Sequence, residues 1–139
     1  MEANNQDAIL IKRFRENIIL PKRSTEGAAC YDLYMPSDGE VLPHRTVRIP
    51  LGFGIAFSKD LALLIQQRSS LLLLGLHTGP GIVDSDFRGE VSLILTNASD
   101  KVYRWKKHDR IGQMLFVRIA TPELQLADDL GSTKRVSRW

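Results

Sequence analysis

The sequence has almost no cysteine and no long hydrophobic run. Its 139 residues include one cysteine, Cys30, which excludes an internal disulfide framework and favours a reducing, intracellular compartment, the cytoplasm or nucleus. No apolar run approaches the roughly 20 residues of a membrane-spanning helix, so no membrane association is expected. The three histidines are isolated and give no zinc-ligand spacing. The chain also lacks a Gly-x-Ser-x-Gly elbow, a Walker loop and a dinucleotide fingerprint, which removes three common enzyme classes.

The chain also has little excess charge of either sign. The formal charge is +3, from 19 basic and 16 acidic residues, and arginine outnumbers lysine. The basic residues are scattered or lie in short runs, which are usually solvated surface, so nucleic-acid binding is not expected. Guanidinium groups match phosphate oxygens well, which makes a phosphorylated ligand a reasonable hypothesis. The length predicts one domain over residues 1–139, with a flexible tail at 1–8 and a C-terminal arm at 128–139.

What the sequence does contain is a series of short strand patterns. Turn-forming residues recur about every ten residues, which is typical of an all-β barrel or sandwich. The pattern is clearest in Glu90–Asn97, where Val91, Leu93 and Leu95 alternate with more polar residues. Further strands are predicted at Tyr31–Tyr34, Leu61–Gln66 and Ile111–Ile119.

Two windows place a polar residue inside such a strand pattern. Asp32 lies within Tyr31–Tyr34, where aspartate is disfavoured, so it has either a functional role or a backbone partner at the strand end. Arg110 and Gln113 are polar residues within Asp109–Leu115, and Gln113 needs hydrogen-bond partners if it is buried. The alternative for Gln113 is an edge strand from which it points outward.

The window Arg68–Leu71 combines an arginine with two serines ahead of an apolar run. Ser69 and Ser70 are predicted to cap one helical turn that ends at Gly75. The free N–H groups at such a start, together with the arginine, could hold an anion. A plain helix cap with a surface arginine is the alternative.

The window Gly79–Glu90 is the most informative, because it is dense in glycine, aspartate and arginine. Its terminal glycines suit a tight hairpin, and Gly81 would let the backbone approach a ligand closely. Asp84 and Asp86 are two residues apart and share a face of an extended chain, so one of them could act as a base. An Asx-stabilised turn is the alternative.

Taken in order, the four windows resemble the motifs of the trimeric all-β dUTPase family (deoxyuridine triphosphate nucleotidohydrolases). The resemblance extends from Lys22 to Leu130. The motif-like segments are Ala28–Tyr34, Arg68–Leu71, Gly81–Glu90 and Asp109–Met114. Cys30 and Ser70 stand where the family usually has glycine, and Phe87 stands where it usually has tyrosine.

The resemblance implies a distorted, jelly-roll-like β-barrel that assembles as a homotrimer, with active sites between subunits. It implies hydrolysis of dUTP to dUMP and pyrophosphate, in which Asp84 activates a water for attack on the α-phosphorus. It also implies Mg²⁺ on the triphosphate, reaching Asp32 through water because the ion keeps much of its hydration shell. The ring of Phe87 would pack on the deoxyribose. The substrate-binding residues implied in all are Arg68, Ser69, Ser70, Gly81, Ile82, Phe87 and Gln113.

The C-terminus departs from this family's pattern. The family's fifth motif is a glycine-rich arm, Arg-Gly-x-Gly-Gly-Phe-Gly-Ser-Thr-Gly, whose arginine grips the γ-phosphate and whose phenylalanine covers the uracil. Here Asp128–Leu130 runs directly into Gly131–Lys134. Arg135, Arg138 and Trp139 follow in a different order and are candidates for a substitute arm.

Two other functions compete with dUTP hydrolysis. A dCTP deaminase shares the implied fold, but its catalytic glutamate would fall at Ile94, which cannot move a proton. A dUTPase-derived protein that has lost its chemistry and binds a protein partner is the non-enzyme alternative, supported by the altered arm and by Cys30 and Ser70. The residues whose retention favours catalysis are Asp32, Arg68, Ser69, Asp84 and Gln113.

Overall fold

The computed structural model describes residues 9–136, and nearly all of its regular structure is β-strand. The all-β prediction is therefore confirmed. In chain order the elements are β1 (Leu10–Arg13), β2 (Tyr31–Tyr34), β3 (Gly39–Val41), β4 (Thr46–Pro50), β5 (Phe53–Ala56), β6 (Leu61–Gln67), α1 (Ser69–Leu72), β7 (Leu76–Gly79), β8 (Ile82–Val83), β9 (Ser92–Asn97), β10 (Tyr103–Trp105) and β11 (Arg110–Arg118).

The strands pair into small antiparallel sheets around one core. The largest sheet has the order β2-β11-β6-β8, and a second has the order β4-β9-β7. Two further pairs are β1-β5 and β10-β3. The neighbours in each sheet come from distant parts of the chain, so segments far apart in sequence are brought side by side.

Strand β9 shows how the alternating pattern builds the core. Leu93 and Leu95 are completely enclosed, whereas Ser92, Ile94 and Thr96 remain partly exposed on the other face. The predicted alternation is thus confirmed. The other fully enclosed side chains include Leu33, Met35, Val41, Leu63, Leu76 and Ile111.

The predicted helical turn is present, but its start differs from the prediction. Ser69 is the first residue of α1, and the boundary residue is Arg68, whose ψ of 141° is extended and whose side chain makes no capping bond. The prediction that the serines cap the helix is therefore wrong. Because Arg68 directly follows β6, its backbone is still extended, and the turn begins one residue later. The helix ends at Leu72, earlier than the predicted Gly75, and turn structure continues to Gly75, which has φ +83° and whose N–H donates to the carbonyl of Leu72 at 3.0 Å.

The window from Gly79 to Glu90 does not form the predicted tight hairpin. Strand β7 pairs with β9, whereas β8 pairs with β6, so the two strands belong to different sheets. The chain instead reverses through a turn in which the N–H of Phe87 donates to the carbonyl of Asp84 at 3.2 Å. Because β7 and β8 each pair with a different strand, they do not pair with each other as a hairpin would require.

The C-terminal segment leaves the sheets after β11. Residues 119–136 form no helix or strand, and every one of them is exposed. Arg135 belongs to this segment, whereas Arg138, Trp139 and the tail at 1–8 lie outside the described residues. Within the described range, no helix has the length and apolar character needed to cross a membrane.

Candidate active site

One row of polar side chains crosses the largest sheet. In the antiparallel register, Gln113 of β11 lies opposite Asp32 of β2 on one side and opposite Gln66 of β6 on the other. Directly opposite residues project from the same face of a sheet, so these three side chains are neighbours. Gln113 also donates from Nε2 to the carbonyl of Gln67 at 3.2 Å. The first and fourth sequence windows therefore meet side by side.

The opposite face of the same strands is closed against the core. Gly112, next to Gln113, lies opposite Leu33, which is completely buried. A Cβ at Gly112 would stand 2.9 Å from Cδ1 of Leu93, so a side chain here would press on the core. The glycine allows β11 to lie close to β9's buried face while Gln113 faces outward.

A register shift in β11 turns Arg110 toward Asp32. Arg110 pairs with Tyr34 and Gly112 with Leu33, so Ile111 is an extra residue. Under strict alternation Ile111 would share the outward face, but it is completely buried. A bulge of this kind re-aims the neighbouring side chain, and Nη1 of Arg110 lies 3.6 Å from Oδ2 of Asp32.

Asp32 thus has partners for both its backbone and its side chain. Its N–H donates to the carbonyl of Lys22 at 2.8 Å, a bond between main-chain atoms that does not involve the acid. Its carboxylate, only 13% exposed, is balanced by Arg110. Sequence patterns did not identify this ion pair, because it depends on the extra residue in β11.

Arg68 joins the same group from the end of β6. Its Nη1 donates to the carbonyl of Arg110 at 3.1 Å. Ser69 and Ser70 follow at the start of α1, and both are exposed. The Arg68 cluster is defined here as Asp32, Arg68, Ser69, Ser70, Arg110 and Gln113.

Two side chains close to this cluster have perturbed acidity. Burial raises the pKa of the Cys30 thiol, and the negative charge of Asp32 raises it further. Burial also raises the pKa of Tyr103, with the charge of Asp109 adding to the rise and Arg68 opposing it. Cys30 is therefore held as a neutral thiol beside the carboxylate, and it is poorly suited to act as a nucleophile.

The Asp32 carboxylate could contact a metal ion whose other ligands are water and phosphate oxygens. Within residues 9–136, no three His, Cys, Asp or Glu side chains are grouped closely enough to hold an ion. Asp32 offers a carboxylate that already has one cationic neighbour. Such a donor set suits Mg²⁺, which keeps several waters and takes phosphate oxygens as ligands.

A second group of predicted residues lines a separate cavity of about 340 Å³, called here the Asp84 cavity. Asp84 lies directly after β8, and its carboxylate has no ion-pair partner in the described part of the chain. The lining residues are Arg48, Pro80, Ile82, Val83, Asp84, Phe87, Glu90, Val91, Ser92 and Ile94.

The backbone on one side of this cavity is held by β6. The carbonyl of Gly81 accepts a bond from the N–H of Ile65 at 2.7 Å, and β8 continues the pairing through Leu63 and Leu64. Gly81 has φ +96°, a conformation that L side chains rarely adopt, and a Cβ there would meet nothing within 4 Å. The side chain of Ile82 is 64% exposed and lines the cavity.

Phe87 presents a ring at the mouth of the cavity. Its ring packs over Gly89, where an added Cβ would stand 2.7 Å from Cζ, and 39% of Phe87 stays exposed. Glu90 lies behind it but is already occupied. Its Oε2 accepts from the N–H of Gly52 at 2.7 Å and lies 3.2 Å from Nε of Arg15. Asp84 is therefore the more available carboxylate.

Sequence reasoning missed Arg48 and Ser92. Arg48 lies opposite Ile94 in the pairing of β4 with β9, and its Nε donates to Oγ of Ser92 at 3.1 Å. No motif marks either residue. Only the register of β4 against β9 brings them to the cavity.

Within one chain the two groups do not line the same cavity. The walls of the Asp84 cavity include no member of the Arg68 cluster. Ile82 and Phe87 lie with Asp84, whereas Arg68, Ser69, Ser70, Gln113 and Asp32 lie together elsewhere. Arg135 is exposed on the C-terminal segment, away from any sheet.

A family model and similar curated proteins indicate the same family for this chain. The dUTPase family model matches residues 16–138. The deoxyuridine 5'-triphosphate nucleotidohydrolase of Solanum lycopersicum is 34% identical over 137 residues, covering 98% of this chain and 81% of the relative. The enzyme of the same name from Hydrogenobaculum sp. is 35% identical over 131 residues, with 91% of each chain covered. The chain belongs to the dUTPase family, so the sequence resemblance is confirmed.

Solved structures support the same fold. A variant of the Staphylococcus bacteriophage 80alpha dUTPase bound to dUpNHpp gives a TM-score of 0.84 at 20% identity, covering 91% of this chain and 92% of that one. A variant of the phage phi11 dUTPase, described with a structural Mg(II) ion, also gives 0.84, at 18% identity and 91% and 100% coverage. The dUTPase-type all-β fold is therefore confirmed.

Proposed function

We propose that this protein hydrolyses dUTP to dUMP and pyrophosphate. The observation that carries the proposal is that Asp84 and Phe87 line one cavity in a chain of the dUTPase family. A carboxylate without an ion-pair partner among the described residues stands next to an apolar ring, so a base and a sugar-packing surface share one space. The relatives' shared name, deoxyuridine 5'-triphosphate nucleotidohydrolase, supports the same reaction.

In this reaction Asp84 accepts a proton from a water as the water oxygen attacks the α-phosphorus. The bond from that phosphorus to the bridging oxygen breaks, and pyrophosphate leaves. An ordinary aspartate is a weak base at pH 7, so most of the acceleration comes from positioning and from balancing the phosphate charge. The ring of Phe87 packs on the deoxyribose and leaves no room for a 2′-hydroxyl.

The backbone before Asp84 and the Arg68 cluster supply the remaining substrate contacts. Gly81 and Ile82 present backbone groups to the uracil edge. Arg68, Ser69 and Gln113 bind phosphate oxygens, and Ser70 lies beside them. Bound Mg²⁺ would supply charge neutralisation at the triphosphate, and Asp32 would hold the hydrated ion by accepting a hydrogen bond from one of its waters. Arg110 holds the Asp32 carboxylate at 3.6 Å in a fixed position for that contact.

A homotrimer would complete the site. The Arg68 cluster does not line the Asp84 cavity of the same chain, so we propose that the nucleotide bridges the Asp84 cavity of one copy and the Arg68 cluster of another. In the segment 119–136, Leu124, Leu126 and Leu130 are each at least 95% exposed. Several large apolar side chains exposed on one segment indicate a surface that contacts another molecule. We propose that these leucines pack on a neighbouring copy and that Arg135, Arg138 and Trp139 act beyond them as the substitute arm.

The position of Ile94 favours hydrolysis over deamination. Ile94 lies in the wall of the Asp84 cavity, where the deaminase reading would require a glutamate. An aliphatic side chain cannot transfer the protons that deamination needs. A dUTPase-derived binding protein without chemistry is the remaining alternative, and the following experiment separates it from the enzyme.

The test is pyrophosphate release from dUTP by the parent and by Asp84→Asn. Asparagine keeps the size but cannot accept the proton, so hydrolysis should fall by about 10²–10⁴-fold while dUMP binding remains. The matched control is Asp86→Asn, which removes an exposed acid that does not line the cavity. No release by the parent, with or without Mg²⁺, would support the binding protein. Equal losses in both variants would contradict the role of Asp84 as base.

A further inference from the structure

Arg48 is a cation in the wall of the Asp84 cavity, and it belongs to none of the four motif-like segments. Strand β4 pairs with β9 so that Arg48 lies opposite Ile94. Both side chains line the cavity that also contains Asp84 and Phe87. The placement therefore comes from strand register alone.

The guanidinium is oriented and has donors to spare. Arg48 is exposed, and its Nε donates to Oγ of Ser92 at 3.1 Å, which favours one direction of the planar group. Arginine carries five N–H donors, and this bond uses one of them. For the two terminal nitrogens of Arg48, the described residues provide no hydrogen bond or ion pair. A fork of unpaired donors thus lies at the cavity wall.

A phosphate in this cavity would lie close to negatively charged side chains and would need a nearby cation. Asp84 and Glu90 both line the wall, and Arg15 together with the N–H of Gly52 already balances Glu90. Arg48 is the one cation among the described lining residues. A phosphate placed next to the Asp84 carboxylate would otherwise be repelled by its charge.

We infer that Arg48 binds the α-phosphate of the nucleotide in the Asp84 cavity. The inference rests on the proposed function, because the phosphorus attacked by the Asp84-activated water is the α-phosphorus. A guanidinium fork matches two phosphate oxygens and stabilises the charge that develops on them during attack. Ser92 is then a positioning residue that aims the fork.

The direct test compares two ligands that differ only in the phosphate. Binding of dUMP and of deoxyuridine is measured by calorimetry for the parent, Arg48→Met and Arg45→Met. Loss of a charged hydrogen bond weakens binding by about 10–100-fold, so Arg48→Met should weaken dUMP by that factor and change deoxyuridine less than about twofold. Arg45 is an exposed arginine just before β4 that does not line the cavity, so its variant should match the parent.

Two further variants test how Arg48 acts. Arg48→Lys keeps the charge but not the fork, so it should lose part of the dUMP affinity, and it carries the test if Arg48→Met does not fold. Ser92→Ala should weaken dUMP by a few-fold in the parent and have no effect in Arg48→Met, because two residues acting as a unit are not additive. Thermal melts of all variants should stay near the parent.

The outcomes are distinguishable from a failure of the proposed function. A parent that neither binds dUMP nor releases pyrophosphate from dUTP overturns both. A working parent whose dUMP affinity survives Arg48→Met overturns only the Arg48 inference. Equal losses for dUMP and deoxyuridine also overturn it, because they would place Arg48 against the sugar or base.

Discussion

Cys30 illustrates how a single residue is set by its surroundings. Cys30 directly precedes β2 and lies two residues before Asp32. It occupies the position at which the first motif of the family resemblance has glycine. Burial raises the pKa of its thiol, and the charge of Asp32 adds to that rise. The thiolate is the reactive form, so a raised pKa lowers reactivity at any pH below it.

Alkylation of Cys30 by iodoacetamide should therefore be slow in the folded protein. The midpoint of its pH–rate curve should lie at higher pH than for the same chain unfolded in urea. Asp32→Asn should move the folded midpoint partly back toward lower pH, because it removes the charge but not the burial. A folded midpoint at or below the unfolded one contradicts the environment described for this thiol.

The motif-like residues divide between those predicted by type alone and those that needed the fold. Asp84 and Phe87 were singled out from the sequence, and they do line one cavity. Arg110 was noted only as a polar residue in a strand-like run, and Arg48 was not singled out, although each lies beside a predicted residue. Arginines are frequent here and mark no pattern, so only the bulge in β11 and the register of β4 distinguish these two.

At the scale of elements, the pairing of β3 with β10 depends on a glycine. Gly39 lies opposite Trp105, which is 6% exposed and donates from Nε1 to the carbonyl of Ser37 at 3.0 Å. A Cβ at Gly39 would stand 2.6 Å from Cε2 of the indole ring. The ring lies over Gly39 and is held by its bond to Ser37, so a Cβ at this position forces the ring or the pairing of β3 with β10 to shift.

Gly39→Ala should destabilise the protein by about 1–3 kcal/mol, the usual cost of overpacking. Urea unfolding followed by circular dichroism measures the change. Gly27→Ala is the matched control, because a Cβ there meets nothing within 4 Å. It should leave the free energy of unfolding unchanged or slightly higher. Equal unfolding midpoints for the two variants would contradict the packing argument.

At the scale of the whole molecule, the separation of the Arg68 cluster from the Asp84 cavity predicts a shared site. In a cyclic trimer of roughly three times 15.7 kDa, each site would take Asp84 from one copy and Arg68 from another. Two inactive variants can then complement each other. If each site lay within one chain, mixing the two variants would restore no activity.

Asp84→Asn and Arg68→Ala chains, unfolded together in equal amounts and refolded, should regain activity that neither has alone. Three of four random trimers contain both chains, and each has one intact site of three, so about one site in four should be active. Light scattering checks the trimer. A mixture no more active than the separate variants, or a monomer that cleaves dUTP, contradicts the shared site.

The sequence by itself determined the family, the all-β class and which residues are candidates for the site. These features depend on the spacing of residues along the chain. Leu93 and Leu95 alternate with more polar neighbours, and Asp84 precedes Phe87 and Gly89 at the spacing of the third motif. Periodicity and short motifs are properties of neighbours in the chain, so they can be detected without the fold.

Only the tertiary structure decided which of these residues meet. Gln113 lies beside Asp32 because β11 pairs with β2, and an extra residue in β11 buries Ile111 and turns Arg110 outward. Arg48 reaches the Asp84 cavity because β4 pairs with β9. In a sheet, one residue of register exchanges the two faces, and that register is set by packing between segments distant in sequence.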